Sequence, residues 1–443
     1  MPKTHARKGA EAFKESAEIR DPIHGYIYAS EIERKIIDTE TFQRLRRIRQ
    51  LAGCHLVYPG GQHSRFEHVI GAMYLAGKVG EVLEMKRAPL TPDQAIELRL
   101  AALLHDIGHG PFSHVFEEVM AERTPFTHED MTQKIVLRSE IGDVLGKNGF
   151  SKKALAELAV GKSKTSKLFL NDVIGGGLSV DIMDYLLRDS YFTGVEYGKV
   201  DVRRIVNSFE VYENRLAIGQ AAMFAFEALM IARYEMFRAV YFHRTVRAAE
   251  LMLIKSMILA DKELHLTDLS LENYLSLTDE VTLFRIRTMN VGSDKELGKA
   301  KEIAFDYSRR NLLKCVFERS FLERDKFLNS IFNSGRIRAQ LAEEIASGAG
   351  VDPESVFVDV PTAPSIPVSS TREALDSVSI VKSKENGSKD YHEMKISEMP
   401  LVGTITGFMD IIRVYTDGRH RSRVGRSVGR IFGREGFETK VSM

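Results

Sequence analysis

Apolar residues recur at intervals of three and four along most of residues 30–345, which brings them to one face of an α-helix. Leu100, Leu103 and Leu104 show this spacing. Glycine and proline, which interrupt helices, are sparse in this part of the chain. The pattern predicts a mainly α fold, with a helical core over residues 21–265 and a helical C-terminal lobe over residues 266–345.

The pattern changes after residue 345, where Gly348 and Gly350 precede a segment rich in proline and valine. Such a composition is typical of short strands joined by loops. The chain is mostly polar from Ser379 to Ser388, and apolar content returns from Leu401 to Tyr415. We therefore predict a small α+β appendage with loops over residues 346–415.

Both ends of the chain are polar. Residues 1–20 predict a polar N-terminal extension, and residues 416–443 predict a basic tail rich in arginine and glycine. Seven arginines and one acidic residue, Asp417, lie between Arg413 and Arg434 inclusive. We expect this tail to be solvated or docked on a partner, and nucleic acid is the alternative partner because arginine binds phosphate.

Composition excludes some classes of protein. The 443 residues include 62 Lys+Arg and 61 Asp+Glu, so the net charge of +1 does not favour a polyanionic partner for the chain as a whole. The two cysteines, Cys54 and Cys315, lie far apart in the chain and fit a reducing compartment. No apolar run reaches the length of about 18 residues that indicates a membrane span. We predict a cytoplasmic protein without a membrane partner.

Histidines are concentrated in one region, because seven of the 13 lie between His55 and His128. Within it, His105 and Asp106 precede a predicted helix end at Gly108, Gly110 and Pro111. A histidine and an aspartate at a helix end can offer a nitrogen and an oxygen to one divalent ion. Surface His-Asp neighbours are also common without a metal, so this pair alone is a weak signal.

Two flanking segments strengthen the signal. Arg65 and His68 are three residues apart, which on a helix makes them neighbours able to serve a phosphate and a metal. Asp181, Tyr185 and Asp189 recur every four residues and form one stripe of a predicted helix. Acidic residues beside a core are costly unless they bind something. The structural alternatives are a solvated helical turn for the first segment and an ordinary polar stripe for the second.

The chemistry-bearing segments are, in chain order, R-F-x-H, H-D-x-G-H-G-P-F-S-H, H-E and D-x-x-D-Y-x-x-R-D. This order resembles the SAM-and-HD-domain dNTP triphosphohydrolases and their bacterial and archaeal relatives. The likeness begins at Asp21, is clear to Arg244 and continues more weakly to Tyr415. It implies an HD-domain helical phosphohydrolase core. Because about twenty residues precede Asp21, we expect the shorter microbial architecture without a SAM domain.

The resemblance implies one divalent metal ion in each active site. Iron, manganese, zinc and magnesium stay open as the ion, and Mg²⁺ would accompany the nucleotide. The reaction would release a deoxynucleoside and inorganic triphosphate. The implied metal ligands are His68, His105, Asp106 and Asp181.

The family pattern also implies catalytic groups. His109 or His114 would donate a proton to the departing 5′ oxygen, and His128 and Glu117 would fix its protonation and orientation. One departure concerns Ile182, which stands where many relatives have a basic residue, so one phosphate contact is missing.

Substrate residues follow from the same resemblance. Gln50 and Leu51 would contact the 3′ hydroxyl and pack beneath the sugar, and Tyr185 would crowd the 2′ carbon. Arg65 and Arg233 would neutralise phosphate charge, while Asp189 and Tyr241 complete the pocket wall. Helical spacing predicts that Arg233, Phe237, Tyr241 and Arg244 share one helix face.

The family also has regulatory nucleotide sites, which imply a homotetramer activated by GTP or a dNTP. The implied activator residues are Asp38, Gln43, Arg46, Val57, His243 and Arg244. Two alternatives stay open for function. One is an HD phosphohydrolase that acts on another nucleotide phosphoester, and the other is a regulator that binds nucleotides or nucleic acid.

Overall fold

The computed structural model describes residues 15–164, 167–322, 334–360, 377–384, 388–399, 401–402 and 409–433. Parts of several predicted regions lie outside the described residues. These are residues 1–14 of the N-terminal extension, residues 323–333 of the helical lobe, much of the segment between 361 and 408, and residues 434–443 of the tail, which include Arg434.

Helices dominate the main body, which confirms the predicted fold class. They are α1 (Glu31–Ile37), α2 (Glu40–Gln43), α3 (Arg65–Met85), α4 (Pro92–Leu104), α5 (His114–Ala121), α6 (His128–Arg138), α7 (Glu140–Lys147), α8 (Lys152–Ala159), α9 (Phe169–Gly175), α10 (Val180–Thr193), α11 (Val202–Asn207), α12 (Met223–Met236), α13 (Arg244–Leu264), α14 (Leu271–Ser276), α15 (Asp279–Thr288) and α16 (Lys295–Ser308).

The centre of the main body is formed by α3, which packs against both α4 and α10. Its apolar residues are buried through five turns, and examples are Val69, Met73 and Val79. The helix begins at a capping box in which Ser64 and Glu67 satisfy amides of the first turn. Helices α3, α4 and α10 carry the motif residues His68, His105 and Asp181 at or beside their ends, so their packing brings the motifs together.

The N-terminal extension was predicted to run to residue 20, and this is wrong for its last residues. Strand β1 (Glu15–Asp21) pairs antiparallel with β2 (Gly25–Ser30). Ile19 packs against the main core and Ile27 is fully buried. The apolar side chains on one face of this hairpin bind it to the body, and the turn between the strands carries Asp21 and His24.

A four-stranded sheet combines two strands of the region predicted to be helical with two strands of the predicted appendage. Its order is β3 (Phe209–Tyr212), β4 (Arg215–Gly219), β7 (Ser377–Ser383) and β8 (Lys389–Lys395), with β4 and β7 parallel. Ile218 of β4 and Ile380 of β7 are both fully buried in the main core. Two strands that we assigned to the appendage therefore complete a sheet of the main body, a pairing across about 160 residues that no local pattern reveals.

The remaining appendage has a second, smaller core. A three-stranded antiparallel sheet runs in the order β5 (Lys314–Leu322), β9 (Met409–Thr416) and β6 (Val356–Asp359). Helix α17 (Gly335–Ala349) and helix α18 (Arg421–Phe432) pack on each other and on this sheet. Strand β5 lies inside the lobe predicted to be helical, so that lobe ends earlier than expected. The α+β character of the C-terminal region is confirmed.

The tail also differs from expectation, because much of it is the helix α18. Val424 and Val428 point into the small core and are buried, which fixes the helix on the appendage. Arg413 belongs to β9 and is buried beside Glu318, which accepts a hydrogen bond of 2.6 Å from its Nε. In the sequence, the many arginines and glycines of this segment make the helical spacing of the two valines difficult to recognise.

An ion-pair cluster, in which the Arg247–Asp359 pair is buried and Glu118 is exposed, joins the appendage to the main body. Arg247 of α13 donates from Nη1 to Glu118 of α5 at 2.7 Å and from Nε to Asp359 of β6 at 3.0 Å. Truncating one partner of such a buried pair leaves an uncompensated charge. Helix α5, which carries His114 and Glu117, is thus tied directly to the appendage. None of the helices within the described residues has the length and apolarity to cross a membrane.

Candidate metal centre and active site

The predicted metal residues come from the ends of three helices. Helix α4 stops at Leu104, and His105 is its C-cap, as the glycines that follow predicted. His68 lies in the first turn of α3, and Asp181 lies in the first turn of α10. The structure brings all four predicted ligands together, with Asp106 beside His105.

The donor atoms of these residues are close to one another. His68 Nε2 lies 3.1 Å from Asp181 Oδ1, 3.3 Å from His105 Nε2 and 3.5 Å from Asp106 Oδ2. His105 Nε2 lies 3.4 Å from Asp106 Oδ1 and 3.6 Å from Asp181 Oδ1. Neighbouring ligands of an ion with bonds of about 2.1 Å are separated by about 3.0–3.4 Å. The spacing of His68, His105 and Asp181 therefore fits one divalent ion, and Asp106 lies beside this group.

Hydrogen bonds fix which ring nitrogen faces this centre. His105 Nδ1 donates to the carbonyl oxygen of Ala102 at 2.8 Å, and a carbonyl can only accept. His68 Nδ1 contacts Asp184 Oδ2 at 2.8 Å, and that carboxylate also accepts from Arg188. Each imidazole therefore points its Nε2 at the Nε2 of the other ring and at the carboxylates of Asp106 and Asp181. Metal-binding histidines are held in this way, with the second nitrogen donating to a carboxylate or carbonyl.

Electrostatics also favour a cation here. Burial lowers the pKa of His68, but hydrogen bonds to Asp181 and Asp184 outweigh it and raise this pKa to about 10. Burial raises the pKa of Asp106, but Arg65 and two histidines lower it well below its ordinary value. The site therefore carries a strong negative field that attracts either a proton or a metal ion. The donor set of two nitrogens and carboxylate oxygens suits zinc, iron or manganese.

Sequence reasoning missed the group that orients His68. Asp184 Oδ1 contacts His24 Nε2 at 2.7 Å, and both carboxylate oxygens accept from Arg188 at 2.9 Å. Arg188 in turn donates from Nη1 to Asp21 at 2.8 Å. Burial raises the pKa of Asp184, but Arg188, His24 and His68 lower it well below its ordinary value, so it is charged. The signal available in the sequence was the four-residue spacing of Asp184 and Arg188 within the D-x-x-D-Y-x-x-R-D motif.

Glycine is required on α3 opposite this network. A Cβ at Gly71 would lie 1.9 Å from Asp184 Oδ1 and 2.4 Å from Arg188 Nη2. Neither buried side chain has space to move away. The close approach of α3 and α10, and with it the position of His68 against Asp184, depends on this glycine.

The predicted acid-base residues form a second cluster next to the first. Glu117 Oε2 accepts from His114 Nδ1 at 2.7 Å, and Glu117 Oε1 accepts from His128 Nδ1. The ring of His109 stacks on that of His128 with centroids 4.0 Å apart and planes 13° apart. His109 is buried, whereas the side chain of His114 is 69% exposed. All four predicted catalytic residues are therefore neighbours.

This second cluster is suited to holding protons more than to holding a metal. Ligand atoms of His109, His114 and His128 lie within 4.8 Å of one another. Lone pairs of two stacked, nearly parallel rings cannot both point at one ion, because each lies in its own ring plane. Burial lowers the pKa of His128, but Glu117 raises it above its ordinary value. His128 and Glu117 thus form an ion pair against the face of His109.

Close packing at Gly108 positions this cluster. A Cβ at Gly108 would lie 2.1 Å from the carbonyl oxygen of His128 and 2.3 Å from the amide nitrogen of Thr132. The start of α6, which Thr127 caps, can therefore approach the His105–His109 turn only because residue 108 has no side chain.

The predicted phosphate arginines are both buried. Arg65 donates from Nε to Ser113 Oγ at 2.9 Å and from Nη1 to Asp106. The guanidinium of Arg233 lies close enough to Tyr185 to oppose the rise of its pKa. Burial raises the pKa of Tyr185 to about 12, so its hydroxyl is neutral. The structure thus ties one arginine to a predicted metal ligand and the other to the predicted sugar-contacting tyrosine.

The predicted sugar residues form two sets, one around Asp189 and one at Gln50 and Leu51. Tyr241 donates to Asp189 Oδ2 at 2.7 Å, and His63 contacts Asp189 Oδ1 at 2.7 Å, so Asp189 supports the pocket from behind. Gln50 is buried, and its backbone amide donates to the His63 carbonyl at 3.0 Å. Leu51 packs at the edge of the main core.

Two predicted substrate side chains have unpaired polar atoms. Gln50 Oε1 and Arg233 Nε are buried and make no hydrogen bond within the described residues. Buried polar groups are nearly always paired, so each unpaired one requires an explanation. A polar ligand in this pocket would supply the missing partners.

One predicted helix face is not formed. Helix α12 ends at Met236, residues Phe237–Tyr241 form a π-helical turn, and α13 begins afresh at Arg244. Arg244 therefore does not continue the face of Arg233. The wider turn of a π-helix places Tyr241 against Asp189 instead.

The predicted activator residues lie in two groups. Arg46 donates from Nε to Gln43 Oε1 at 2.8 Å and covers the Phe66 ring at 3.5 Å, and Asp38 near them accepts from Arg34 at 3.0 Å. The second group consists of Val57, His243 and Arg244, which lie in other parts of the chain. His243 caps α13, the Arg244 carbonyl accepts from Tyr415 at 3.1 Å, and Val57 packs at the core edge.

Comparison with known proteins matches two family models to this chain. The HD domain model covers residues 65–189, and the HD associated region model covers residues 200–383. The first range contains all four predicted metal ligands, and the second contains the sheet strands β3, β4 and β7.

Several relatives match most of the chain. An uncharacterised protein of Methanocaldococcus jannaschii is 37% identical over 62% of this chain and 58% of its own length. A Dictyostelium discoideum protein named as a deoxynucleoside triphosphate triphosphohydrolase SAMHD1 homolog is 31% identical over 78% of this chain and 67% of its own length. This chain thus spans less than two thirds of the archaeal relative. A crystal structure of a hypothetical protein from Aquifex aeolicus superposes with a TM-score of 0.72 at 26% identity, covering 93% of this chain and 99% of that one.

Proposed function

This chain belongs to the HD-domain phosphohydrolase family, and from that premise we propose that it hydrolyses deoxynucleoside triphosphates to deoxynucleoside and inorganic triphosphate. The observation that carries the proposal is the pair of imidazoles whose Nδ1 bonds direct both Nε2 atoms at two carboxylates. Gln50 and Arg233, the predicted sugar and phosphate residues, each have a buried polar atom without a partner among the described residues. The catalytic unit in this proposal is residues 21–265.

The metal would be held by His68, His105, Asp106 and Asp181. A divalent ion bound there would polarise the α-phosphate and favour deprotonation of water. Arg65 holds Asp106 charged and correctly turned, since its guanidinium binds both Asp106 and Ser113. Asp184 holds the ring of His68 in place.

Protonation of the leaving 5′ oxygen falls to His114 in this proposal. Its Nδ1 donates to Glu117, so the imidazolium form has a proton on Nε2 to give to the leaving oxygen, and its side chain is exposed to an incoming substrate. His109 is buried behind it and faces Asp106 at 3.4 Å. His109 and His128 therefore serve as the ring stack that keeps Glu117 charged and oriented.

Selection of deoxyribose would come from a small number of side chains. Gln50 would pair its free Oε1 with a sugar hydroxyl, and Leu51 would pack beneath the sugar. Tyr185, held by Arg233, would exclude a 2′ hydroxyl by crowding. Exclusion of a hydroxyl by size discriminates modestly, so some hydrolysis of ribonucleotides is expected.

We expect each of the four dNTPs, incubated with the protein and Mg²⁺ or Mn²⁺, alone or with GTP added, to give deoxynucleoside and triphosphate in equal amounts. Chromatography of the products checks this. Release of orthophosphate, or turnover only of monophosphates or cyclic nucleotides, would assign the site to another phosphoester. Matched incubations with the His114→Gln variant test the role of His114 as the acid. This substitution should reduce the rate of dNTP hydrolysis by about 10²–10⁴-fold.

Activation by nucleotides and assembly as a homotetramer are part of the same proposal. Asp38, Gln43 and Arg46 lie close together on the surface, where a base or phosphate could replace the Gln43–Arg46 hydrogen bond. Turnover of one dNTP that appears only when GTP or a second dNTP is added would reveal such a site.

A second candidate role is nucleic acid binding by α18. Arg423, Arg426 and Arg430 follow at intervals of three and four and are exposed on one face of this helix. No carboxylate of the described part of the chain pairs with these three side chains. Arg423 and Arg430 also donate to carbonyls at the end of α17, at 3.3 Å and 2.9 Å, which holds them in place.

If this face binds a nucleic acid backbone, affinity for single-stranded DNA should fall steeply with salt. The triple substitution R423Q, R426Q and R430Q should lower the slope of log K against log salt by about 2. A matched substitution of the exposed Arg138, Lys147 and Lys153 by glutamine should leave that slope unchanged. Equal slopes for both triple variants would remove this role.

A further inference from the structure

The loop that joins His109 to His114 has an unusual backbone. Phe112 has φ of 60° and Ser113 has φ of 56°, and neither is glycine. Residues with side chains avoid this left-handed region, and they keep it only where surrounding contacts impose it. The two turns fold the chain back so that His114 returns next to the ring of His109, with centroids 4.9 Å apart.

The contacts that impose this conformation come from residues 274–279, outside the HD domain match. Tyr274 donates its hydroxyl to the Gly108 carbonyl at 2.6 Å. Arg44 bridges the carbonyls of Leu277 and His109, at 3.0 Å and 2.9 Å. Asp279 Oδ1 accepts the backbone amide of Phe112 at 2.6 Å. Gly108 and Phe112 are therefore tied directly to this segment, and His109 is tied to it through Arg44.

Asp279 also reaches the sugar side of the site. Its Oδ2 accepts from the backbone amide of Arg49 at 3.1 Å, and the Arg49 carbonyl accepts from Ser113 Oγ at 2.7 Å. Arg49 directly precedes Gln50. Two further backbone bonds, from Gln50 to His63 and from Arg65 to Ile48, hold this segment independently. Asp279 therefore contacts both the strained loop and the segment that precedes Gln50.

The helix that carries Asp279 does not need its carboxylate. Thr278 is the N-cap of α15, and its hydroxyl accepts the Val281 amide at 3.3 Å. Asp279 itself is 1% exposed and directs both oxygens away from its own helix, at Phe112 and Arg49. A buried carboxylate in this arrangement serves the loop it binds.

We infer that Asp279 is a positioning residue, which holds the His109–His114 loop in the strained form that aims His114 at the leaving oxygen. This inference rests on the proposed function of His114. It links the HD associated region to the chemistry of the HD domain. Removal of the carboxylate should let the loop relax and displace His114 without removing any metal ligand.

The test compares Asp279→Asn with two controls at saturating metal. Asp279→Asn keeps one acceptor but places an amide donor against a backbone donor, so kcat for dNTP hydrolysis should fall by about 5- to 150-fold. KM should change little. Glu280→Gln removes a charge from the same helix end, and Asp261→Asn alters another buried carboxylate, which accepts from Thr267. Both controls should retain kcat.

A leaving group that needs no proton separates positioning from general damage. With p-nitrophenyl triphosphate as the substrate, the kcat values of Asp279→Asn and of the unaltered protein should differ far less than they do with dNTPs. Equal losses on both substrates, or a kcat unchanged on dNTPs, would overturn the inference.

Histidine carbon-proton spectra provide a readout that is independent of turnover. Signals of His109 and His114 should move in Asp279→Asn and stay in place in Asp261→Asn. If the unaltered protein hydrolyses no dNTP, the proposed function fails, and these spectra still decide whether Asp279 holds the loop. Unmoved signals in Asp279→Asn would count against the inference in either case.

Discussion

Replacement of Asp181 by alanine is expected to leave a folded protein that holds little metal and hydrolyses dNTPs on the order of 10³-fold more slowly. The carboxylate supplies one of four donor residues, and its Oδ1 lies 3.1 Å from His68 Nε2. Its side chain is 32% exposed, the most exposed of the four, so its loss should affect folding least. Metal content by mass spectrometry, measured beside the product assay, checks both parts of the expectation.

The control for Asp181 is Asp143→Ala, which removes an exposed carboxylate paired with Lys152 on the surface. It should retain full metal content and activity. Stoichiometric metal and normal turnover in Asp181→Ala would show that the ion is held elsewhere. Loss of turnover with full metal content would instead assign Asp181 to the substrate.

Replacement of Asp184 by asparagine should destabilise the protein and weaken metal binding together. The carboxylate is buried and accepts from His24, His68 and Arg188, so the variant leaves Arg188 with Asp21 as its remaining partner. Breaking a buried charge pair costs about 3–5 kcal/mol of unfolding free energy. Loss of a group that orients a metal-binding histidine lowers metal affinity by about 10–100-fold. Denaturant unfolding and calorimetric metal titration measure the two effects.

The pH dependence of this variant follows from the lowered pKa of Asp184. Burial raises that pKa, but Arg188, His24 and His68 lower it well below the ordinary value. A carboxylate with a lowered pKa in the folded state contributes stability above its unfolded pKa, near 4, and loses it as the pH falls. The difference in stability between the unaltered protein and Asp184→Asn should therefore be largest at neutral pH and narrow below about pH 4. A matched Asp261→Asn variant should keep its metal affinity, and an equal loss there would show that destabilisation alone weakens the site.

The sequence by itself determined the helical body and the residue types at its centre. Apolar spacing predicted helices such as α3 and α4, because a helix buries one face and the pattern of that face is local. The order of the His and Asp motifs predicted which residues meet, and the structure brings His68, His105, Asp106 and Asp181 within contact. Capping residues such as Thr127 were also readable, since a cap involves amides only two or three positions away.

The tertiary structure alone decided how distant segments meet. Strand β7 pairs with β4 across about 160 residues, and β5 pairs with β9 across about a hundred, so no local pattern reveals either pairing. The tertiary structure also decided that Asp184 contacts His68, where Gly71 permits the approach. It likewise decided that Asp279 accepts a hydrogen bond from the Phe112 amide. Local patterns carry the propensity of a segment, but a buried polar side chain takes its role from whichever partner packing brings to it, and that partner is set by the whole fold.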